Sequence, residues 1–329
     1  MADLNGDERG QLLLVAALVL ALVFIGLALV VNSAIFTENL ASRGEMGGSD
    51  EALAARATVE MNAEKALRQA NYYSESDGEN ETVDSFNRTL RNVSTQTEYL
   101  SATSGTLVNV TYVSHRNGTR INGSIDQGDN NYTVANDVER ISGVNANGTR
   151  GLAFNSTGLP DGSDPPLVVK VNDTNFGGDE QSWRARIWEN SSGVQVRTIR
   201  NGTTPSENRT EHCSVPSATE NRIQVTAGLV NDRPCDALRW NDDGENFWFG
   251  NGVLASGSEY AIHFENTNGV SGEFEMVVYE DGLSLPLLSL PGDATSSDAI
   301  YDTTVRFVYD GPDVRYNTTV RIAPGEPDV

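Results

Sequence analysis

Residues 12–31 form a run of twenty with no charge and no hydrogen-bonding side chain. At a helical rise of about 1.5 Å per residue the run is roughly 30 Å long, the thickness of a bilayer's hydrocarbon core. A segment apolar on every face has no stable place at a water-facing surface. It is longer than the apolar region of a secretory signal peptide, and Asn32-Ser33-Ala34 is a poor cleavage box. The expectation is a single N-terminal transmembrane helix within residues 11–41. Its surroundings would be membrane lipid or the apolar centre of an oligomer. Arg9 lies before the run and Arg43 after it, so the distribution of basic residues does not orient it.

Arg9-Gly10-Gln11, opening directly into that run, resembles the class III leader of archaeal type IV pilin-like proteins. The resemblance implies cleavage by a prepilin peptidase between Gly10 and Gln11, with residues 1–10 a cytoplasmic leader. It also implies that residues 11–41 stay on the mature protein and self-associate with other pilin-like subunits in a filament core. Where many such proteins carry Glu at the fifth mature position, this chain has Val15. An uncleaved signal anchor is the alternative.

The net charge is −23, and Lys65 and Lys170 are the only lysines among 23 basic residues. An acidic, Lys-poor surface resembles that of proteins from salt-loving archaea. It argues against nucleic acid or anionic lipid headgroups as partners, because their phosphates require a basic patch. The chain has two cysteines, Cys213 and Cys235. Outside the cell an even pair reads as a disulfide, contributing about 3 kcal/mol on the chain-entropy model. The other reading, a metal site with His212, lacks a four-ligand set.

Fourteen Asn-x-Ser/Thr sequons occur: Asn80, Asn87, Asn92, Asn109, Asn117, Asn122, Asn131, Asn147, Asn155, Asn172, Asn190, Asn201, Asn208 and Asn317. Chance would produce roughly five at this composition, so glycosylation of an exterior domain is expected. The incidental reading is that tight turns written Asn-Gly-Thr, at Asn117, Asn147 and Asn201, generate sequons as a by-product.

The fold class expected is mainly β with N-terminal α: the apolar helix, a short second helix, then an antiparallel β-sandwich-like extracellular domain. The second helix should be an exposed one over 49–73, capped by Ser49, with Leu53, Ala57 and Met61 on its packing face and Leu67 near it. Residues 74–104 read as a polar linker. Residues 105–329 read as the β-rich glycosylated region, with a Gly/Asn/Ser/Pro-rich stretch at 143–166 dividing it. Asn117-Gly118 between 107–113 and 120–125 predicts a hairpin turn. Further strands are expected at 167–171, 183–188, 194–199, 222–226, 247–249, 260–264, 274–279, 303–309 and 317–322.

No catalytic signature stands out. There is no H-E-x-x-H, C-x-x-C, G-x-S-x-G or phosphate loop, and Gly250-Asn251-Gly252 reads as a strand turn. His115, His212 and His263 read as structural residues. No cofactor is implied and no metal site is assigned. Trp240, Asp242, Asp243 and Trp248 place an acidic tip between aromatics, where a sugar ring could stack or Ca²⁺ could bind. The apolar, proline-bearing stretch 283–291 reads as a buried sandwich edge or a subunit contact. Together these describe a non-enzymatic cell-surface glycoprotein, pilin-like or membrane-anchored, for assembly or adhesion. The alternative is a membrane-anchored extracellular module that binds carbohydrate.

Overall fold

The computed structural model describes residues 49–73, 79–138, 141, 148–173, 182–201, 209–239, 247–251, 253, 259–279, 290 and 292–326. Two helices open it, α1 over residues 49–72 and α2 over Glu79–Ala102. Fourteen strands follow: β1 Leu107–Ser124, β2 Asn131–Val138, β3 Thr149–Gly158, β4 Leu167–Asp173, β5 Ser182–Asn190, β6 Gly193–Asn201, β7 Arg209–Val215, β8 Asn221–Gln224, β9 Leu229–Val230, β10 Arg233–Pro234, β11 Tyr260–Glu265, β12 Ser271–Tyr279, β13 Thr295–Asp310 and β14 Arg315–Ile322. They form an eight-stranded sheet, β10-β9-β8-β3-β12-β1-β13-β14, and a six-stranded sheet, β2-β11-β4-β5-β6-β7. Every ladder between these strands is antiparallel.

The core between the sheets follows from strand alternation. Leu167, Val169 and Val171 of β4 and Trp183, Ala185 and Ile187 of β5 point into it. They meet Phe154, Phe249, Tyr260, Phe264 and Phe274, with Phe264 lying edge-on to Phe274 at a centroid distance of 5.1 Å. Trp183 donates its indole N–H to the Phe247 carbonyl at 3.1 Å, so the largest core side chain leaves no buried donor unpaired.

A second core lies under the helices. Ala52, Val59, Ala63, Ala66, Leu67 and Ala70 of α1, with Phe86 and Leu90 of α2, cover Val108, Val110, Val305, Phe307, Tyr309, Val320 and Ile322. The packing stripe of α1 is therefore not the expected one. Leu53 and Met61 are 54% and 50% exposed, Ala57 is exposed, and only Leu67 joins the buried face. Four of these six α1 residues are alanine, which lets the helix approach closely but carries little hydrophobic weight in sequence. For the same reason α1 is not simply an exposed helix.

Residues 74–104 are not a linker, since α2 occupies most of that span. Its buried face reads Thr82, Phe86, Leu90 and Ser94, at a spacing of four. Two polar residues stand in that stripe, and the Ser94 hydroxyl accepts the Val110 N–H at 3.0 Å. Phe86 and Leu90 are thus the only large apolar side chains in that stripe, too few to stand out against the polar residues around them.

The expectation of a single transmembrane helix is corrected as well. Among the described residues no helix is long and apolar enough to cross a membrane, and the fold is a mainly β one with two helices. Charge interrupts both of them, as at Arg56, Glu60, Glu64, Lys65 and Arg68 in α1. The segment 11–41 and the Gly10/Gln11 junction lie outside the described residues.

Asn117-Gly118 makes no hairpin. β1 runs through it unbroken, Asn117 facing Ile300 of β13 and Gly118 facing Tyr279 of β12. A Cβ on Gly118 would meet the Val278 carbonyl oxygen at 2.5 Å and the Tyr301 Cβ at 3.0 Å, so glycine serves close approach between strands here. Nor does 143–166 divide two subdomains. β3 lies within it and pairs with β12 and β8, deep in the larger sheet. Phe247, Trp248 and Phe249 are buried but belong to no strand.

Candidate functional site

On the larger sheet, Ile121, Phe274 and Met276 point into the inter-sheet core, so Arg120, Glu275 and Val277 face the other way. The C-terminal end of α1 lies over that outer surface. Between helix, sheet and the residues after β14 is a cleft of about 280 Å³. Arg68, Arg120, Arg150 and Arg222 line it, and among the described residues Glu275 is the one carboxylate on the lining. In a chain of net charge −23 this is a local inversion of sign.

The four arginines stand in different states. Arg150 is buried, donating to the carbonyls of Ile300 at 2.8 Å and Pro324 at 3.1 Å and to that of Tyr301. Burial pulls its guanidinium down to about 10, which leaves it a cation at neutral pH. Arg120 donates to Glu275 at 3.3 Å and to Asn122 at 3.1 Å, and lies 5.2 Å from the centroid of the Tyr72 ring. Arg68 and Arg222 are exposed, and their side chains make no hydrogen bond or ion pair among the described residues. At the rim Tyr72 and Tyr73 are 62% and 69% exposed, their rings edge to face at 5.0 Å. Thr226, 2% exposed, also lines the cleft, and its Oγ1 has no hydrogen-bond partner.

Such a set offers a planar donor fork to an oxyanion and aromatic faces to a ring. Sequence reading missed it because the four arginines come from α1, β1, β3 and β8, and no local spacing joins them. The scarcity of positive charge was the one available clue.

The sequence-derived candidates are placed differently. Trp248 is 8% exposed and packs in the inter-sheet core, so it offers no face to a sugar; that expectation is corrected. Trp240, Asp242 and Asp243 lie outside the described residues, as does 283–291 except Leu290, which packs against the inter-sheet core. Cys213 of β7 and Cys235, just before a 3₁₀ turn at Asp236–Leu238, form a disulfide with Cα atoms 5.5 Å apart. His115, His212 and His263 contact Tyr112, Gln195 and Thr133 respectively.

Of the sequon asparagines, Asn92, Asn131, Asn190 and Asn317 are exposed, on α2, β2, the end of β5 and β14. Asn87, Asn109, Asn117, Asn122, Asn155, Asn172 and Asn201 are half-buried. Among these, Asn109 donates to Glu98 at 2.6 Å, and Asn172 has a buried Oδ1 without a partner. The Asn80 side chain, Asn147 and Asn208 lie outside the described residues.

No curated protein and no solved structure matches the chain. Residues 6–148, which take in both helices, β1 and β2 but under half of the chain, match the model of a family of unknown function (DUF7261).

Proposed function

We propose that this chain is a non-enzymatic cell-surface glycoprotein, a pilin-like subunit or an envelope-attached protein that serves assembly or adhesion. Its C-terminal domain stands outside the cell, and residues 11–41 attach it by self-association or through lipid. One juxtaposition in a single chain carries this reading: an apolar run introduced by Arg9-Gly10-Gln11 and, beyond two helices, an acidic β-sandwich closed by a disulfide. Four exposed sequon asparagines on the folded part support it, since a transferase needs an accessible acceptor.

The test is fractionation of the native host, followed by N-terminal sequencing and intact mass of the recovered protein. Recovery with surface filaments or envelope, a mature N-terminus at Gln11 and mass above the bare polypeptide are the expected results. A detergent-free cytosolic monomer of bare peptide mass would remove the proposal.

A further inference from the structure

The charge of the cleft between α1 and the larger sheet points to a ligand of opposite sign. Arg68 and Arg222 line the cleft without a hydrogen bond or ion pair among the described residues, although the molecule carries 46 carboxylate side chains. Among the described residues of this acidic chain, no carboxylate pairs with either of these two guanidinium groups on the cleft lining.

Size and rim narrow the ligand. A volume of about 280 Å³ is near the small end of ligand pockets, which run from about 300 to 1,000 Å³. That suits one ring with its substituents rather than a polymer segment. Tyr72 and Tyr73, largely exposed at the rim, present the amphipathic faces that stack on a sugar's C–H surface while their hydroxyls stay wet. Gln69, Asn71 and Gln224 add amide groups to the lining, of which Asn71 is already committed to Ile300 and Gln224 to Asp232. Arginine forks match carboxylate and sulfate geometry in two-point fashion.

We propose that this cleft binds an anionic saccharide unit, its carboxylate or sulfate held by Arg68 and Arg222 and its ring against Tyr72 and Tyr73. The site belongs to the folded domain and does not depend on how the N-terminal segment is attached. It lies apart from Trp248, which packs in the inter-sheet core.

The experiment is isothermal titration of the full-length, detergent-solubilised protein with glucuronate, glucose 6-sulfate, neutral glucose and inorganic sulfate at one fixed chloride concentration. Either charged sugar should bind at least ten-fold more tightly than glucose and than inorganic sulfate, and the tighter of the two identifies the anion. Arg68→Gln and Arg222→Gln should each weaken that binding about ten-fold, with circular dichroism and melting temperature unchanged because neither side chain has a partner among the described residues. Arg197→Gln, on the outer face of the other sheet, should leave affinity unaltered. Failure of both charged sugars to bind overturns the proposal, as does equal affinity for glucose or inorganic sulfate. Retained affinity in both arginine variants would also overturn it.

Discussion

The Asn71 side chain closes both hydrogen-bonding groups of Ile300: Nδ2 donates to the Ile300 carbonyl at 2.9 Å, and Oδ1 accepts its N–H at 3.0 Å. β14 pairs with β13 only from Thr303 onward, so Ile300 lies where that edge of β13 has lost its strand partner. One helical side chain takes the place of the missing strand, and in doing so fixes α1 to the sheet. Asn71 is 3% exposed, so water cannot substitute for it.

Asn71→Leu should therefore destabilise the protein by about 1–3 kcal/mol, because the Ile300 N–H is left buried and unpaired. The carbonyl suffers less, since Arg150 also donates to it at 2.8 Å. Denaturant melts give the magnitude. Amide exchange at Ile300 gives the cause and should accelerate well beyond that of Val305, whose ladder is untouched.

Asp302 holds two cations. Its side chain is 3% exposed and accepts from Arg116 at 2.6 Å and Arg321 at 2.5 Å, while Arg321 also reaches Glu326 at 2.5 Å. Asp302→Ala should cost about 3 kcal/mol, since two partly buried guanidinium groups lose their counter-charge. A melting temperature unchanged within error would show that Glu326 and solvent neutralise the pair unaided.

Acid should loosen the link between the β1–β2 turn and the start of β13. Asp293 accepts from the Ser124 hydroxyl at 2.8 Å, Gln127 at 2.7 Å and the Ser124 N–H at 3.2 Å, which holds its carboxyl below the usual range. Asp126, bonded to the N–H groups of Gly269 and Gly128, is lowered likewise. A carboxyl depressed in the folded state adds stability above its unfolded value, near 4, and that stability is lost as pH falls through the folded value. Asp293→Asn should thus melt below the wild type at neutral pH, with the gap closing as pH falls below about 4. A gap that stayed constant would mean that the carboxylate charge is not what matters.

On the outer face of the smaller sheet Arg186 of β5 stands directly opposite Arg197 of β6, and both are exposed. Like charges facing across an antiparallel pair repel. Arg186→Glu should raise stability by about 0.2–1 kcal/mol at low salt, and the gain should shrink as salt screens it. A loss at every salt concentration would show that the arginine pair is neutralised by an anion in solution.

Where strands bury one face against the opposite sheet, the amino-acid pattern was a sound guide. The expected strands at 167–171, 183–188, 194–199, 260–264 and 274–279 all lie within β4, β5, β6, β11 and β12. Their alternation is strong because the buried positions are large and branched. β3 escaped notice because its core residues Leu152 and Phe154 stand among Thr, Arg, Gly, Asn and Ser, in a stretch whose composition resembles a loop. The cleft was invisible for another reason: Arg68 and Arg222 are 154 positions apart, and nothing local marks either as a member of a pair.

By itself the sequence determined an apolar N-terminal segment, an acidic Lys-poor surface, a second helix and a chain of alternating strands with one cysteine pair. Those properties are set by composition and short-range periodicity, which report how each residue meets solvent. Only the tertiary structure decided that Asn117-Gly118 lies inside a strand, that alanines rather than Leu53 and Met61 pack α1, and that four distant arginines share one cleft. Each of those depends on what lies across the interface, and a residue's neighbours in space are written in no stretch of chain shorter than the fold.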